Sequence, residues 1–286
     1  MHPILNKMLS KYDNLDSIEV VENSIKQIMQ EITLSGLSRS NFFSYAAFNG
    51  GTALRIFHGL NRFSEDLDFS LINHNLNFNL NKYSSYVNDE FASLGIPAYF
   101  ILDNDNNEIK RAYVEGNFIK ILEVFNFDNN ILNNVISNKN IKIKIEVDTS
   151  DLYDEKVENK YLLLPHPSSI NMYDFSTLFA GKINAILSRN WKTRVKGRDL
   201  FDFVFYLSKD ASLNIKHLES RLRSNEIIDR STSLDINVLK RLLVSKFETI
   251  DYSSAINDVI KFIDNPNDLK IWSSDFFIKL TIDYHF

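Results

Sequence analysis

Gly50-Gly51-Thr52, followed after 13 intervening residues by Asp66-Leu67-Asp68-Phe69 within Ser64-Glu65-Asp66-Leu67-Asp68-Phe69, is the stretch on which the fold turns. Residues 66–71 alternate polar and apolar and predict a strand. Two aspartates one residue apart on a strand project from the same face. Their carboxylates then lie within reach of one divalent cation, and magnesium prefers such hard oxygen ligands. Taken alone, Asp-x-Asp is better explained by the solvated face of an edge strand. The glycine pair shifts that balance. Gly50 and Gly51 lead into a helix expected over 52–60 with Thr52 at its start. Backbone N–H groups there can approach a phosphate closely, and the helix dipole favours the anion. Most glycine pairs are no more than turns. This one stands in a chain with only 8 glycines, one short helix before the carboxylates, so cradle and metal pair form a coherent site.

Working outward, residues 18–32 space apolar side chains like one face of a helix, and 80–94 reads as another. Strands are expected at 98–102 and near 111–114, with a polar turn at 103–108 between them. The clearest alternation is at 140–148: Ile141, Ile143, Ile145 and Val147 face one way, and Lys142, Lys144, Glu146 and Asp148 the other. Beyond Pro167 the period becomes helical, at 173–189, 199–207, 215–222, 238–247, 253–263 and 273–282. The expected architecture is therefore α/β (α+β), a mixed sheet followed by a helical carboxy-terminal domain. The loop at 151–167 suggests domains at 1–165, including an amino-terminal helix, and at 166–286.

With 286 residues, 44% hydrophobic and 24% charged, the composition is that of a folded protein. No apolar run approaches the ~20 residues needed to cross a bilayer. The start, Met1-His2-Pro3-Ile4-Leu5-Asn6-Lys7, lacks the features of a secretory signal. There is no cysteine, which excludes disulfides and thiolate metal sites. A soluble, cytoplasmic protein with no membrane partner is the expectation. The net charge of −5 argues against nucleic-acid binding over the whole surface but leaves a local basic patch open.

Several later residues join the candidate site. Asp148 supplies a third carboxylate to Asp66 and Asp68 if their strands are neighbours. Converging carboxylates of this kind hold metals that activate an attacking hydroxyl and bind triphosphate oxygens. Glu146 shares the polar face of Asp148 and has a lesser claim. Lys182 sits in an otherwise apolar helix, where an ammonium needs an anionic partner, either a phosphate or a core carboxylate. Arg189 lies two turns further along the same face. Asp199 opens the next helix, where it could also serve as a cap, and Asp202 follows on the same side. Ser64 either bonds a phosphate or ends a turn. His58 reads as a packing residue, since no second histidine stands at ligand spacing. Five basic residues and Trp191 lie within 189–198, which reads either as an RNA-contacting loop with a stacking indole or as a solvated one.

Gly-Gly-Thr followed by Asp-Leu-Asp-Phe resembles the signature of the DNA polymerase β-like nucleotidyltransferase superfamily. More narrowly, Asn61-Arg62-Phe63-Ser64-Glu65-Asp66-Leu67-Asp68-Phe69 resembles the AbiEii family, nucleotidyltransferase toxins of type IV toxin–antitoxin and abortive-infection systems. Residues 179–189 resemble that family's lysine helix, and Arg198-Asp199-Leu200-Phe201-Asp202 its Arg-Asp-x-x-Asp segment.

The resemblance implies a nucleotidyltransferase fold whose helical domain closes over the nucleotide. Asp66, Asp68, Lys182, Asp199 and Asp202 would be catalytic. Gly50, Gly51, Thr52, Ser64, Lys182 and Arg189 would bind a nucleoside triphosphate, and Asp66, Asp68 and Asp148 would hold Mg²⁺ (or Mn²⁺). It further implies an acceptor at the 3′ end of tRNA, arrest of translation and growth, and a cognate antitoxin. Two rivals stay open on the sequence: transfer to a small molecule, as in antibiotic nucleotidyltransferases, and a nucleotide-binding regulator without turnover.

Overall fold

The computed structural model describes residues 1–73, 75, 77–104, 108–150, 154–191, 195–229, 231–263 and 265–286. They divide into two compact units made of interleaved segments. The first comprises Met1–Thr52, Glu65–Asp151 and Glu158–Met172; the second comprises Ala53–Ser64, Leu152–Val157 and Tyr173–Phe286.

The first unit is built on a mixed sheet of seven strands: β1 (Ala46–Asn49), β2 (Leu67–Leu71), β3 (Ala98–Asn104), β4 (Ile109–Asn117), β5 (Asn140–Asp148), β6 (Val157–Leu162) and β7 (Ser168–Tyr173), in the order β3-β4-β5-β2-β1-β7-β6. β2 runs antiparallel to β1 and parallel to β5, which places it near the centre. The alternation expected in β5 is present: Ile141, Ile143, Ile145 and Val147 are buried, while Lys144, Glu146 and Asp148 are half-buried. Phe48 and Phe69 are buried on the two central strands with ring centroids 5.2 Å apart. The helix Ile18–Arg39 buries Ile25, Ile28, Met29 and Ile32, as its spacing predicts. Its Gly36 lets the helix Ser84–Ser93 come close, for a Cβ at Gly36 would lie 2.8 Å from Val87 Cα.

Three strands were not expected. β1 is four residues long with Ala46, Ala47 and Phe48 all buried, so it has no alternation to read. β6 and β7 occupy or adjoin the stretch expected as a loop. Pro165 and Pro167 lie between them, and prolines mark connections more strongly than short strands mark themselves. The turn expected at 103–108 falls partly on residues 105–107, outside the described ones.

The second unit is helical. Its main helices are Phe175–Ser188, Gly197–Ser208, Ile215–Ser224, Ile236–Phe247, Tyr252–Val259 and Ser274–Asp283. Aromatic rings fill its core: Phe179 stacks on Tyr206 at 4.6 Å, and Phe247 lies 5.4 Å from Phe203 and 5.3 Å from Phe277. His58 packs on Phe175 with centroids 4.6 Å apart, consistent with its reading as a packing residue. No helix among the described residues is long and apolar enough to cross a membrane.

Candidate active site

The register of β2 assembles a charged face within the first unit. Asp68 stands opposite Asn49 on β1 and Glu146 on β5. Leu67 pairs with Ile145, so Asp66, just before β2, comes alongside Lys144. The Lys144 ammonium lies 3.3 Å from Asp66 Oδ2 and 3.0 Å from Glu146 Oε2. Arg111 on β4 donates from Nε to Glu146 Oε1 at 2.7 Å. Burial pushes the Asp66 carboxyl above its ordinary value despite Lys144, with the Glu146 and Glu65 charges adding to the rise. Burial would lower Lys144, but Glu146 and Asp66 hold it above the ordinary lysine value.

Asp148 stands opposite Ser70, two positions beyond Asp68, and its Oδ1 accepts from Ser150 N at 3.0 Å and Ser150 Oγ at 2.6 Å. The structure thus brings Glu146 into the row of Asp68 and Asp148 into the next. Among the described residues no three Asp, Glu or His side chains are gathered tightly enough to form a metal cluster. Lys144 stands between the Asp66 and Glu146 carboxylates.

The glycine turn abuts this face. Gly50 opens the helix Gly50–His58 at φ +74°, and a Cβ on it would fall 2.3 Å from Asp68 Oδ2. The absent side chain is what gives the Asp68 carboxylate its place. Thr52 is buried, and its Oγ1 donates to the Asp66 carbonyl at 2.5 Å. Gln30 Nε2 donates to the Glu65 carbonyl at 2.9 Å, and Asn49 Nδ2 to Ser70 Oγ at 3.0 Å. The turn, the approach to β2 and β2 itself are therefore fixed by side chains from three elements. These residues fit a divalent cation. They offer hard carboxylate oxygens on one face, a glycine cradle around one of them, and a position beside Asp66 that an ammonium already reaches.

The second unit holds a separate chain of ion pairs. Arg62 grips Asp202 with Nε on Oδ1 at 2.6 Å and Nη2 on Oδ2 at 2.7 Å. Lys182 lies 2.7 Å from Asp202 Oδ2 and 2.7 Å from Asp199 Oδ1, and Arg189 pairs with the other Asp199 oxygen. The order Arg62–Asp202–Lys182–Asp199–Arg189 alternates in charge from end to end. Burial would raise the Asp202 carboxyl, but Arg62 and Lys182 hold it below the ordinary carboxylate range. Of the two partners open to Lys182, the structure supplies the carboxylates. Asp199 sits in the first turn of Gly197–Ser208 and engages Lys182 and Arg189, whereas Lys196 occupies the cap position.

Ser64 is buried in the second unit. Trp191 is 9% exposed with Lys246 Nζ 5.6 Å over its ring, so the indole packs inside the unit instead of offering a stacking face. Lys192 and Arg194 of the same basic stretch lie outside the described residues. Sequence reasoning missed Arg62 and Lys144. Arg62 stood inside the quoted motif but had no visible partner, since Asp202 is 140 positions away. Lys144 was on the correct face, but only strand register brings it to Asp66.

A mixed sheet carrying Asp66 and Asp68 directly beside a glycine turn, in a chain with a helical second unit, has the arrangement expected of a nucleotidyltransferase. The family model described as nucleotidyl transferase AbiEii toxin, type IV toxin–antitoxin system, matches residues 32–278, and the chain belongs to that family. Among solved structures it is similar to MenT4, a nucleotidyltransferase toxin from Mycobacterium tuberculosis H37Rv. The identity is 13% and the TM-score 0.51, covering 99% of this chain and 89% of that one. That likeness is one of fold. JHP933 from Helicobacter pylori is 20% identical at a TM-score of 0.46, with 89% of this chain and 86% of the other covered. Curated proteins yield no match.

Proposed function

We propose that this toxin transfers a nucleotidyl group from a nucleoside triphosphate to the 3′ end of tRNA, using a divalent cation held by Asp66 and Asp68. The observation that carries the reading is the contact between Gly50 and Asp68: the space a Cβ would fill is taken by Asp68 Oδ2. A phosphate-binding turn and a cation-binding carboxylate are thereby held side by side. Asp66 and Asp68 would hold Mg²⁺ or Mn²⁺, which would supply charge neutralisation on the triphosphate and acidify the acceptor hydroxyl.

The remaining work falls to the chain itself. Backbone N–H groups of Gly50, Gly51 and Thr52 at the helix start cradle phosphate oxygens. Thr52, bonded to the Asp66 carbonyl, keeps cradle and carboxylates in register. Glu146 shares the row of Asp68 and is positioned by Arg111 and Lys144. Within the second unit, Asp199 and Asp202 hold Lys182, and Asp199 holds Arg189. The acceptor oxygen attacks the α-phosphorus, the bond to pyrophosphate breaks, and the hydroxyl proton leaves to solvent. Catalysis of this kind rests on positioning and charge. Family membership supports growth arrest and a cognate antitoxin, and the tRNA acceptor is part of the proposal.

The test incubates purified protein with Mg²⁺, each labelled triphosphate in turn, and total RNA, beside an Asp66→Ala control. Label is expected in RNA of tRNA size and absent with Asp66→Ala. Equal labelling by both proteins overturns the site. Label confined to small molecules overturns the acceptor.

A further inference from the structure

The Lys144 ammonium bridges Asp66 and Glu146, two carboxylates of the charged face. It lies 3.3 Å from Asp66 Oδ2 on one side and 3.0 Å from Glu146 Oε2 on the other. Glu146 is itself anchored by Arg111, so one end of this bridge is fixed independently of Lys144. The Lys144 side chain is 30% exposed and that of Asp66 39%, which leaves the Lys144–Asp66 contact open to exchange with solvent ions. An ammonium and a divalent cation are both drawn to the same carboxylate, and like charges repel at such distances.

We propose that Lys144 is a resident counter-ion of the carboxylate face, which competes with the divalent cation for Asp66 and yields it while remaining on Glu146. The inference rests on the reading of Asp66 as a cation ligand. Its consequence is ordered loading. The nucleotide-free protein binds the cation weakly. A triphosphate brings negative charge that strengthens the cation's hold and gives the released ammonium a second partner. Lys144 is on this account a positioning residue, acting through Asp66.

The experiment titrates the full-length protein, without nucleotide, with Mn²⁺ and follows the free ion by electron paramagnetic resonance. Lys144→Met and Lys144→Gln are expected to bind Mn²⁺ about fivefold more tightly than wild type, as loss of a partly exposed competing ion pair predicts. Lys144→Arg keeps the charge and is expected to bind as wild type does. Lys142→Met is the matched control. Lys142 lies on the same strand and face but pairs with Glu115 at 2.8 Å, so its removal is expected to leave affinity unchanged. Affinity unchanged or weakened in the neutral Lys144 variants, or tightened equally by Lys142→Met, overturns the proposal. A lysine with only a structural role would not tighten cation binding when removed. Mn²⁺ binding that survives Asp66→Asn overturns the cation site itself, an outcome distinct from failure of Lys144 to compete.

Discussion

Arg62 and Asp202 form a two-pronged ion pair, with their side chains 3% and 0% exposed, that ties the end of the Asn61-Arg62 segment to the helix Gly197–Ser208. Arg62 Nη1 adds a bond to the Phe63 carbonyl at 2.8 Å, so the guanidinium is engaged on both sides. Removing Arg62 leaves the buried Asp202 carboxylate with Lys182 alone to balance it. Arg62→Ala is expected to cost about 3–5 kcal/mol of stability, read from urea unfolding. Arg62→Lys is expected to recover little of it, because an ammonium cannot reproduce the fork. A loss below about 1 kcal/mol for Arg62→Ala would show the pair to be incidental.

The same pair sets an acid limit. Burial would raise Asp202, but Arg62 and Lys182 outweigh it and depress the folded-state carboxyl below its unfolded value. A depressed carboxyl contributes stability that is fully present above its unfolded pKa of about 3.9 and is lost as pH falls through the folded value. Wild type should therefore lose stability steeply below about pH 4. Asp202→Asn, though less stable at neutral pH, should show a shallower acid decline in melting temperature. Parallel curves for the two proteins would remove Asp202 from the acid limit.

The sequence reading reached furthest where a single strand or helix carried the signal. Asp66 and Asp68 needed only a period of two, and the polar face of β5 came from alternation alone. Lys182, Asp199 and Asp202 could be placed on neighbouring helices, and Lys182 does meet both carboxylates. What stayed hidden depends on which residues stand opposite one another. Asp148 and Glu146 are indistinguishable on β5 until the pairing Asp68↔Glu146 is known. β1 escaped because a central strand buried on both faces has no polar beat. Trp191 escaped because a loop residue's burial depends on the side chain that covers it, here Lys246.

Gly50 offers a sharp test of the site. Its φ of +74° disfavours any side chain, and a Cβ would lie 2.3 Å from Asp68 Oδ2. Gly50→Ala is expected to cost about 1 kcal/mol in backbone strain. Because the Asp68 carboxylate must move, nucleotide transfer should fall by about a hundredfold or more. The decisive comparison is between melting temperature and transfer rate: a stability loss with unchanged turnover would detach Gly50 from catalysis.

The register also separates two carboxylates that the sequence left side by side. Glu146 stands opposite Asp68 and is held by Arg111 and Lys144, while Asp148 stands opposite Ser70 and accepts from Ser150. Both carboxylates are engaged, and what favours Glu146 is its place directly opposite Asp68. Glu146→Gln is therefore expected to lower transfer by about a hundredfold, the scale seen when a preorganised charge is removed from an active site. Asp148→Asn should stay within about threefold of wild type, since the amide oxygen can still accept from Ser150. Both are read in the labelled-nucleotide assay across a range of Mg²⁺ concentrations. A Glu146→Gln defect relieved at high Mg²⁺ would mark a loss of cation affinity, as expected of a ligand. The reverse ranking, with Asp148→Asn inactive and Glu146→Gln near wild type, would assign the third carboxylate to Asp148, one row further along the same face of β5.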